Sequence, residues 1–182
     1  GLSRRAESSC LKRADSVIVL SDFSREQLGS YYPFAQEKVV KIPGGVDLDR
    51  FCPSDDRAGL RERLGLPRDR QILFTARRLV PRMGLENLVD AFGGVLESHP
   101  DTLLVIAGKG RLREPLLEKG RGLGLGDRLR LVGFVEDDEL VSYYQAADLF
   151  VLPSLAFEGF GMVTLEALAC GAPVVATDVC SV

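Results

Sequence analysis

The 182-residue sequence contains no tryptophan, a single histidine and only four cysteines. Cys10, Cys52, Cys170 and Cys180 are far apart, without CxxC spacing, and His99 is remote from all of them. This pattern argues against a zinc site, whose ligands usually come in closely spaced pairs. Scattered thiols are typical of small buried side chains in a reducing compartment, so we expect a cytoplasmic protein. We also expect no metal and no cofactor.

Long apolar runs and a large excess of one charge are also missing. No stretch is long enough to span a bilayer, and the opening residues, GLSRRAESSCLKRAD, lack the apolar segment of a signal peptide. The formal net charge is -3, and no Lys/Arg tract dominates any part of the chain. Nucleic acid is therefore not an expected partner.

Short aliphatic runs recur along the chain, and most are followed by a longer amphipathic segment. The runs predict strands at 16–20, 38–42, 71–76, 102–108, 128–133, 148–152 and 172–177. The segments between them predict helices at about 22–32, 54–65, 84–98, 111–121, 137–146 and 161–170. This alternation predicts an α/β fold with a Rossmann-like parallel sheet and helices on both faces.

One segment interrupts the alternation. The residues PGGVDLDRFCP, 43–53, are rich in Gly, Pro and Asp and show neither periodicity, which is typical of a linker. We therefore expect residues 1–43 to be the tail of one domain and the start of the linker, and residues 44–182 to be most of a second domain. The chain starts without methionine inside a helical pattern and ends just after a predicted strand, so we expect it to be truncated at both ends.

The most informative motif is EGFGMVTLEALACG at 158–171, after a predicted strand. Gly159 and Gly161 flank Phe160 immediately before a predicted helix. Glycines at such a place let a ligand approach the backbone, and the free N–H groups of the helix start attract phosphate.

The same motif carries two glutamates eight positions apart, Glu158 in the loop and Glu166 in the helix. One carboxylate can lie beside a sugar and the other beside a ribose, because a carboxylate accepts two hydroxyl hydrogen bonds. The alternative is that Glu166 is a solvated helix residue and Glu158 a capping partner.

Three arginines, Arg77, Arg78 and Arg82, follow the predicted strand 71–76. Loops beyond the carboxyl ends of parallel strands bind ligands in open α/β sheets, and arginine can bind a diphosphate with two parallel hydrogen bonds. The alternative is a solvated loop with exposed arginines.

Two more loops point to the same edge, GKGR at 108–111 and GFVEDDE at 133–139. Gly108 and Gly110 offer close backbone approach, and the backbone of Gly133 to Val135 could form hydrogen bonds with the edge of a base. An NAD site is the weaker interpretation, because GKG lacks the third glycine of the dinucleotide motif.

The paired acids Asp55–Asp56 and Asp137–Asp138 each precede a helical pattern, so helix capping explains them better than a metal does. His99 ends the predicted helix 84–98, where a polar or cationic residue suits the helix dipole.

Taken together, these segments resemble family 4 glycosyltransferases, retaining enzymes of the GT-B fold. The resemblance covers nearly the whole chain. It is carried by RADSVIVLSDFSREQL, IPGGVDLDRF, RRLVPRMGLENLVDAF, VGFVEDDELVSYYQAADLFVLPS and EGFGMVTLEALACGAPVVAT. The last segment is similar to the Glu-seven-Glu signature of the family. The resemblance implies that residues 1–43 end an acceptor domain and that 44–182 bind a nucleoside-diphosphate sugar.

The resemblance also implies residue roles. Arg78 would bind the diphosphate, and Glu158 and Glu166 would contact the donor sugar and the ribose. Met83 stands where the family usually has a lysine, so we expect Arg82 to supply that charge. The expected catalytic residues are Arg78, Arg82 and Glu158. The remaining expected donor-binding residues are Gly159, Phe160, Gly161, Met162, Val163, Gly108, Lys109, Phe134 and Val135.

The predicted reaction is sugar transfer with retention, by stabilisation of the leaving diphosphate, to an acceptor that is a sugar, a lipid-linked compound or a small molecule. We expect this chain alone to be inactive, because most of the acceptor domain is not part of it. Any peripheral membrane contact would be made through that domain. The alternatives are a sugar-nucleotide epimerase of the GT-B fold and a non-catalytic nucleotide-binding module.

Overall fold

The computed structural model describes residues 2–179, without the side chain of Leu2, so Cys180 lies outside the described residues. The contacts within the chain define two compact units. The described residues of the first unit are 2–45, 158–161 and 178–179, and those of the second are 46–157 and 162–177.

The first unit is a small α/β arrangement. Its elements are α1 (Leu2–Arg13), β1 (Val17–Val19), α2 (Asp22–Tyr31), a 3₁₀ helix (Pro33–Lys38) and β2 (Val39–Lys41). The two strands pair in parallel. Helix α2 begins after Ser21, whose hydroxyl accepts a hydrogen bond from the N–H of Ser24 at 3.1 Å, which satisfies one of the free donors of the first turn. The predicted strands and the predicted helix at 22–32 are confirmed, with slightly shorter bounds.

The second unit alternates strands and helices throughout. Its elements are α3 (Arg57–Arg63), β3 (Gln71–Ala76), a 3₁₀ helix (Pro81–Met83), α4 (Leu85–Ser98), β4 (Thr102–Ala107), α5 (Arg113–Gly122), a 3₁₀ helix (Gly126–Arg128), β5 (Leu129–Gly133), α6 (Asp137–Ala146), β6 (Leu149–Leu152), α7 (Met162–Ala169) and β7 (Val174–Ala176). No helix or strand is present among the described residues between Lys41 and Arg57, in agreement with the irregular segment that the sequence predicts there.

The five strands β3 to β7 form one parallel sheet in the order β5-β4-β3-β6-β7. Alternate strand residues enter two separate cores, as the two-residue period of a strand requires. Phe74, Leu103 and Val105 pack in the core that includes residues of α3, α6 and α7. Leu104 and Ile106 pack in the core with residues of α4 and α5. Helices therefore cover both faces, and the predicted Rossmann-like architecture is confirmed.

Asp148, which directly precedes β6, ties α3 to the sheet. One carboxylate oxygen accepts hydrogen bonds from Arg61 Nη2 and from the N–H of Ile72, both at 2.6 Å. Arg61 is buried, and it also donates to the carbonyl of Ala146 at 3.0 Å. A second arginine, Arg57, lies 3.1 Å from the other oxygen of Asp148. The carboxylate thus neutralises a buried guanidinium at the amino edge of the sheet.

The capping predictions had mixed outcomes. Asp56 caps α3, with its carboxylate accepting from the N–H of Gly59 at 2.9 Å. The prediction for Asp137 and Asp138 was wrong, because Glu136 is the N-cap residue of α6 and no side chain caps it. Both aspartates instead lie in the first turn, where their charge suits the positive end of the helix dipole. His99 ends α4 as predicted.

No helix within residues 2–179 is both long and apolar enough to cross a membrane.

The three described cysteines are free thiols: Cys10 and Cys52 are exposed and Cys170 is buried. Burial raises the pKa of the Cys170 thiol to about 11, so this side chain remains a neutral, apolar thiol at physiological pH.

Candidate functional site

The sheet of the second unit has a point where the strand order reverses. The chain moves outward from β3 through β4 to β5 and then returns to the other side of β3 with β6. In open parallel sheets, ligands bind in the crevice outside the carboxyl ends of the strands at such a point. Helices α4 and α7 both begin at this edge, because each follows one of the two neighbouring parallel strands β3 and β6. The fold therefore brings the arginine loop and the start of α7 to the same edge.

The loop after β3 packs directly on the loop after β6. Gly84 has φ of 68°, and a Cβ at this position would lie 1.7 Å from the carbonyl oxygen of Pro153. The N–H of Leu155 donates to the carbonyl of Arg82 at 2.9 Å, and Arg82 Nη1 donates to the carbonyl of Phe157 at 3.3 Å. Only glycine permits this backbone approach. The Arg82 side chain is therefore attached to the neighbouring loop.

A second close approach joins the loops after β3 and β4. Gly108 has φ of 139°, and a Cβ here would lie 1.8 Å from the carbonyl oxygen of Arg77. The N–H of Gly108 donates to the carbonyl of Gly133 at the end of β5. Packing between loops therefore gives this glycine a structural reason, where the sequence suggested only the approach of a ligand.

These loops enclose a cavity of about 480 Å³, within the usual range of small-molecule sites. Its lining combines three cationic residues and one acidic residue with an aromatic ring and aliphatic groups. The lining residues are Ala76, Arg77, Arg78, Ala107, Gly108, Lys109, Phe134, Val135, Asp137 and Leu140. Five of the residues predicted for donor binding or catalysis, Arg78, Gly108, Lys109, Phe134 and Val135, thus share one cavity. Arg82 is not part of its lining.

One wall of the cavity is a cation–π pair. Lys109 Nζ lies 4.5 Å from the centre of the Phe134 ring, a geometry in which the ring attracts the ammonium group. Phe134 is 52% exposed, whereas Val135 is buried beside it. A flat, accessible ring next to a cation suits a planar aromatic group that is attached to phosphate.

Two arginines follow β3, and their surroundings differ. Arg77 Nη2 donates to Ser154 Oγ at 3.0 Å and lies 3.1 Å from Met83 Sδ. Met83, the residue before Gly84, is buried, and its thioether carries no charge. The guanidinium of Arg78 forms no hydrogen bond or ion pair with any of residues 2–179. Arg78 therefore presents its donors in the cavity, whereas Arg77 is anchored at its base.

Glu166 lies in the second turn of α7 and is half-buried. Its Oε2 accepts a hydrogen bond from the hydroxyl of Tyr144 at 2.8 Å. Tyr144 is fully buried in an aromatic cluster with Phe51, Phe74 and Phe150. Burial raises the pKa of Tyr144, the Glu166 carboxylate raises that pKa further, and the charge of Arg77 opposes both effects. Tyr144 therefore remains a neutral donor that fixes one oxygen of Glu166.

The start of α7 includes two of the predicted residues. Met162 is the first residue of the helix, and the side chain of Val163 packs against the core beneath it. Both are half-buried. Their backbone N–H groups are among the first four of the helix, which have no carbonyl partner within it.

The predicted loop residues Glu158, Gly159, Phe160 and Gly161 belong to the first unit. The carbonyl of Gly159 accepts a hydrogen bond from Ser21 Oγ at 2.6 Å. Phe160 lines a cavity of about 350 Å³ in this unit, together with Ser21 and Lys41. The loop is thus fixed at its centre by the N-cap residue of α2.

Sequence reasoning missed two contributions to this arrangement. Tyr144 occurs in a helix as one of two adjacent tyrosines, and nothing in its spacing links it to Glu166. Met83 is a neutral residue in the sequence, and its contact with Arg77 depends on a 3₁₀ turn at Pro81–Met83 that the sequence did not predict. Within residues 2–179 no three His, Cys, Asp or Glu side chains cluster as metal ligands would.

Family comparisons agree with this geometry. Residues 56–182 match the family model described as glycosyl transferases group 1, and residues 1–50 match the model described as glycosyltransferase family 4. The chain therefore belongs to the group 1 glycosyl transferases, family 4-type glycosyltransferases of the GT-B fold.

The similar proteins differ in the sugars and nucleotides that their names or structures include. A GDP-mannose-dependent alpha-(1-6)-phosphatidylinositol monomannoside mannosyltransferase of Mycolicibacterium smegmatis is 39% identical over 171 residues, which cover 90% of this chain and 44% of the relative. The structure of Anabaena Alr3699/HepE in complex with UDP and glucose aligns with a TM-score of 0.84 and 27% identity, over 98% of this chain and 48% of that one. Sucrose-phosphate synthase from Thermosynechococcus elongatus aligns with a TM-score of 0.81 and 32% identity, over 98% and 44% of the two chains. The chain thus spans less than half the length of these relatives.

Proposed function

We propose that residues 44–182 form the donor-binding domain of a retaining glycosyltransferase, and that residues 1–43 end its acceptor domain. The donor is a nucleoside-diphosphate sugar. The observation that carries this proposal is the cavity at the carboxyl edge, in which Arg78 and Lys109 lie beside the exposed ring of Phe134. Relatives whose names or structures include GDP-mannose or UDP support the same class of ligand.

Each part of the donor has a chemical counterpart in this proposal. The base lies against Phe134 and the backbone at Val135, and the diphosphate lies between Arg78 and the free N–H groups at Met162 and Val163. The ribose is bound by Glu166, because Tyr144 occupies only one of its carboxylate oxygens. The donor sugar is contacted by the Glu158 carboxylate and by the loop backbone at Gly159, Phe160 and Gly161. This assignment follows from the resemblance to the Glu-seven-Glu signature of the family.

The chemical step needs little from the protein beyond charge at the leaving group. As the bond from the anomeric carbon to the β-phosphate oxygen breaks, the acceptor hydroxyl bonds to that carbon and gives its proton to the departing diphosphate, on which negative charge grows. Arg78 stabilises that charge with parallel hydrogen bonds. Arg82 has a smaller role in the proposal, because its guanidinium already contacts the carbonyl of Phe157.

The most specific test is Glu166→Gln, which we expect to weaken nucleoside diphosphate binding about tenfold, since a hydrogen bond to a charged group contributes about 1.5–3 kcal/mol. Glutamine keeps an acceptor for Tyr144. Alanine would leave that buried hydroxyl unsatisfied and lower the free energy of unfolding by about 1–3 kcal/mol. The measurement is calorimetric titration with UDP and GDP, beside a denaturation curve.

Glu118→Gln is the matched control, because Glu118 is an exposed glutamate on α5. We expect it to change neither affinity nor stability. Equal affinities for the wild type and both variants would refute the assignment of Glu166 to the ribose.

A further inference from the structure

The position before Gly84 poses a charge problem. The resemblance leads to the expectation of a lysine there, yet the residue is Met83, whose thioether is neutral and buried. Sequence reasoning assigned the missing charge to the adjacent Arg82. In the structure, the Arg82 side chain is exposed, donates to the carbonyl of Phe157 and does not line the cavity.

A different cation occupies the space beside the Met83 side chain. Arg77 Nη2 lies 3.1 Å from Met83 Sδ, so the guanidinium lies at the end of the side chain that stands in place of a lysine. Arg77 also lines the cavity together with Arg78 and Lys109. Its charge therefore lies within the proposed donor site.

The surroundings hold this guanidinium in a defined place. Ser154, two residues after the end of β6, accepts a hydrogen bond from the same nitrogen at 3.0 Å. The backbone of Arg77 is fixed as well, because its N–H donates to the carbonyl of Ala107 at 2.9 Å and its carbonyl packs against Gly108. A guanidinium held in this way loses little conformational freedom when it binds phosphate.

We propose that Arg77 replaces the missing lysine and binds the diphosphate of the donor beside Arg78. This inference rests on the proposed function. In this proposal the positive charge that a lysine would carry at position 83 comes from Arg77, whose guanidinium contacts the Met83 side chain. Arg77 is a binding residue in this proposal, and Arg82 supports only the loop after β6.

The test is a set of variants at these two positions. We expect Arg77→Met to weaken binding of UDP and GDP about tenfold or more, and binding of UMP and GMP much less, because the lost donors contact the diphosphate. Adding Met83→Lys to Arg77→Met should restore most of the diphosphate affinity. Arg77→Lys should fall between the wild type and Arg77→Met, since lysine keeps the charge without the fork.

Ser154→Ala is the control for a purely structural role. It removes the hydrogen bond that Arg77 donates but keeps the charge, so we expect an effect of about threefold or less. Four outcomes would overturn the inference: unchanged diphosphate affinity in Arg77→Met, an equal loss for monophosphates and diphosphates, a loss in Ser154→Ala as large as in Arg77→Met, or no recovery with Met83→Lys. If Arg77→Met does not fold, Arg77→Lys and the double variant decide by the same comparison. A wild-type protein that binds none of these nucleotides would refute the proposed function instead.

Discussion

Replacing Arg78 by methionine is expected to lower kcat/KM for a sugar nucleotide by about two to three orders of magnitude, as the loss of a group that stabilises transition-state charge usually does. Methionine keeps the length and the apolar part of the side chain but removes the donors that face the cavity. The effect should appear mainly in kcat, because charge on the diphosphate grows as the sugar departs. The measurement is release of UDP from UDP-glucose, or of GDP from GDP-mannose, by a full-length enzyme that includes the acceptor domain.

Arg113→Met is the control for this variant. Arg113 is an exposed arginine at the start of α5, paired with the adjacent Glu114 at 2.8 Å, and its loss should leave the rate within about twofold, because exposed pairs contribute little. Equal rates for Arg78→Met and the wild type would show that leaving-group stabilisation does not depend on Arg78.

The second large effect concerns stability. Asp148→Ala is expected to lower the free energy of unfolding by about 3 kcal/mol, because it leaves the buried guanidinium of Arg61 without its counter-charge. The N–H of Ile72 loses its acceptor as well. The value is at the low end for buried pairs, since the Asp148 side chain is 31% exposed. Chemical denaturation of both proteins gives the difference directly.

An exposed ion pair of the same unit provides the comparison. Asp127 lies 2.9 Å from Arg70 and its side chain is 68% exposed, so Asp127→Ala should change stability by less than about 1 kcal/mol. If both variants lose the same amount, burial of Arg61 does not determine the contribution of Asp148.

Much of this fold could be predicted from local patterns. Strands such as β4, whose six residues are all buried, appear in the sequence as continuous aliphatic runs, and the amphipathic segments between them predict the helices. The N-cap residue of α6 was less predictable than the first residue of the helix, because four acids in a row, Glu136 to Glu139, surround the predicted start. Glu136 takes the N-cap position, and Asp137 and Asp138 are the first two residues of the helix.

The site was predictable to the extent that topology determines it. Residues that follow neighbouring parallel strands must meet at one edge, and Arg78, Lys109 and Phe134 do so. Contacts that depend on how helices and turns pack were not predictable. The hydrogen bond between Tyr144 and Glu166 joins α6 to α7 across 22 positions in sequence, and the contact between Arg77 and Met83 depends on a single turn.

A metal-independent donor site is tested by titration of the wild-type protein with UDP and GDP in a buffer that contains EDTA. We expect saturable binding without any divalent cation, because arginines can balance the diphosphate charge. We also expect UMP and GMP to bind about tenfold more weakly, since they lack the second phosphate. Binding that requires Mg²⁺ or Mn²⁺, or affinity that does not depend on the second phosphate, would contradict a metal-independent donor site at the carboxyl edge of this sheet.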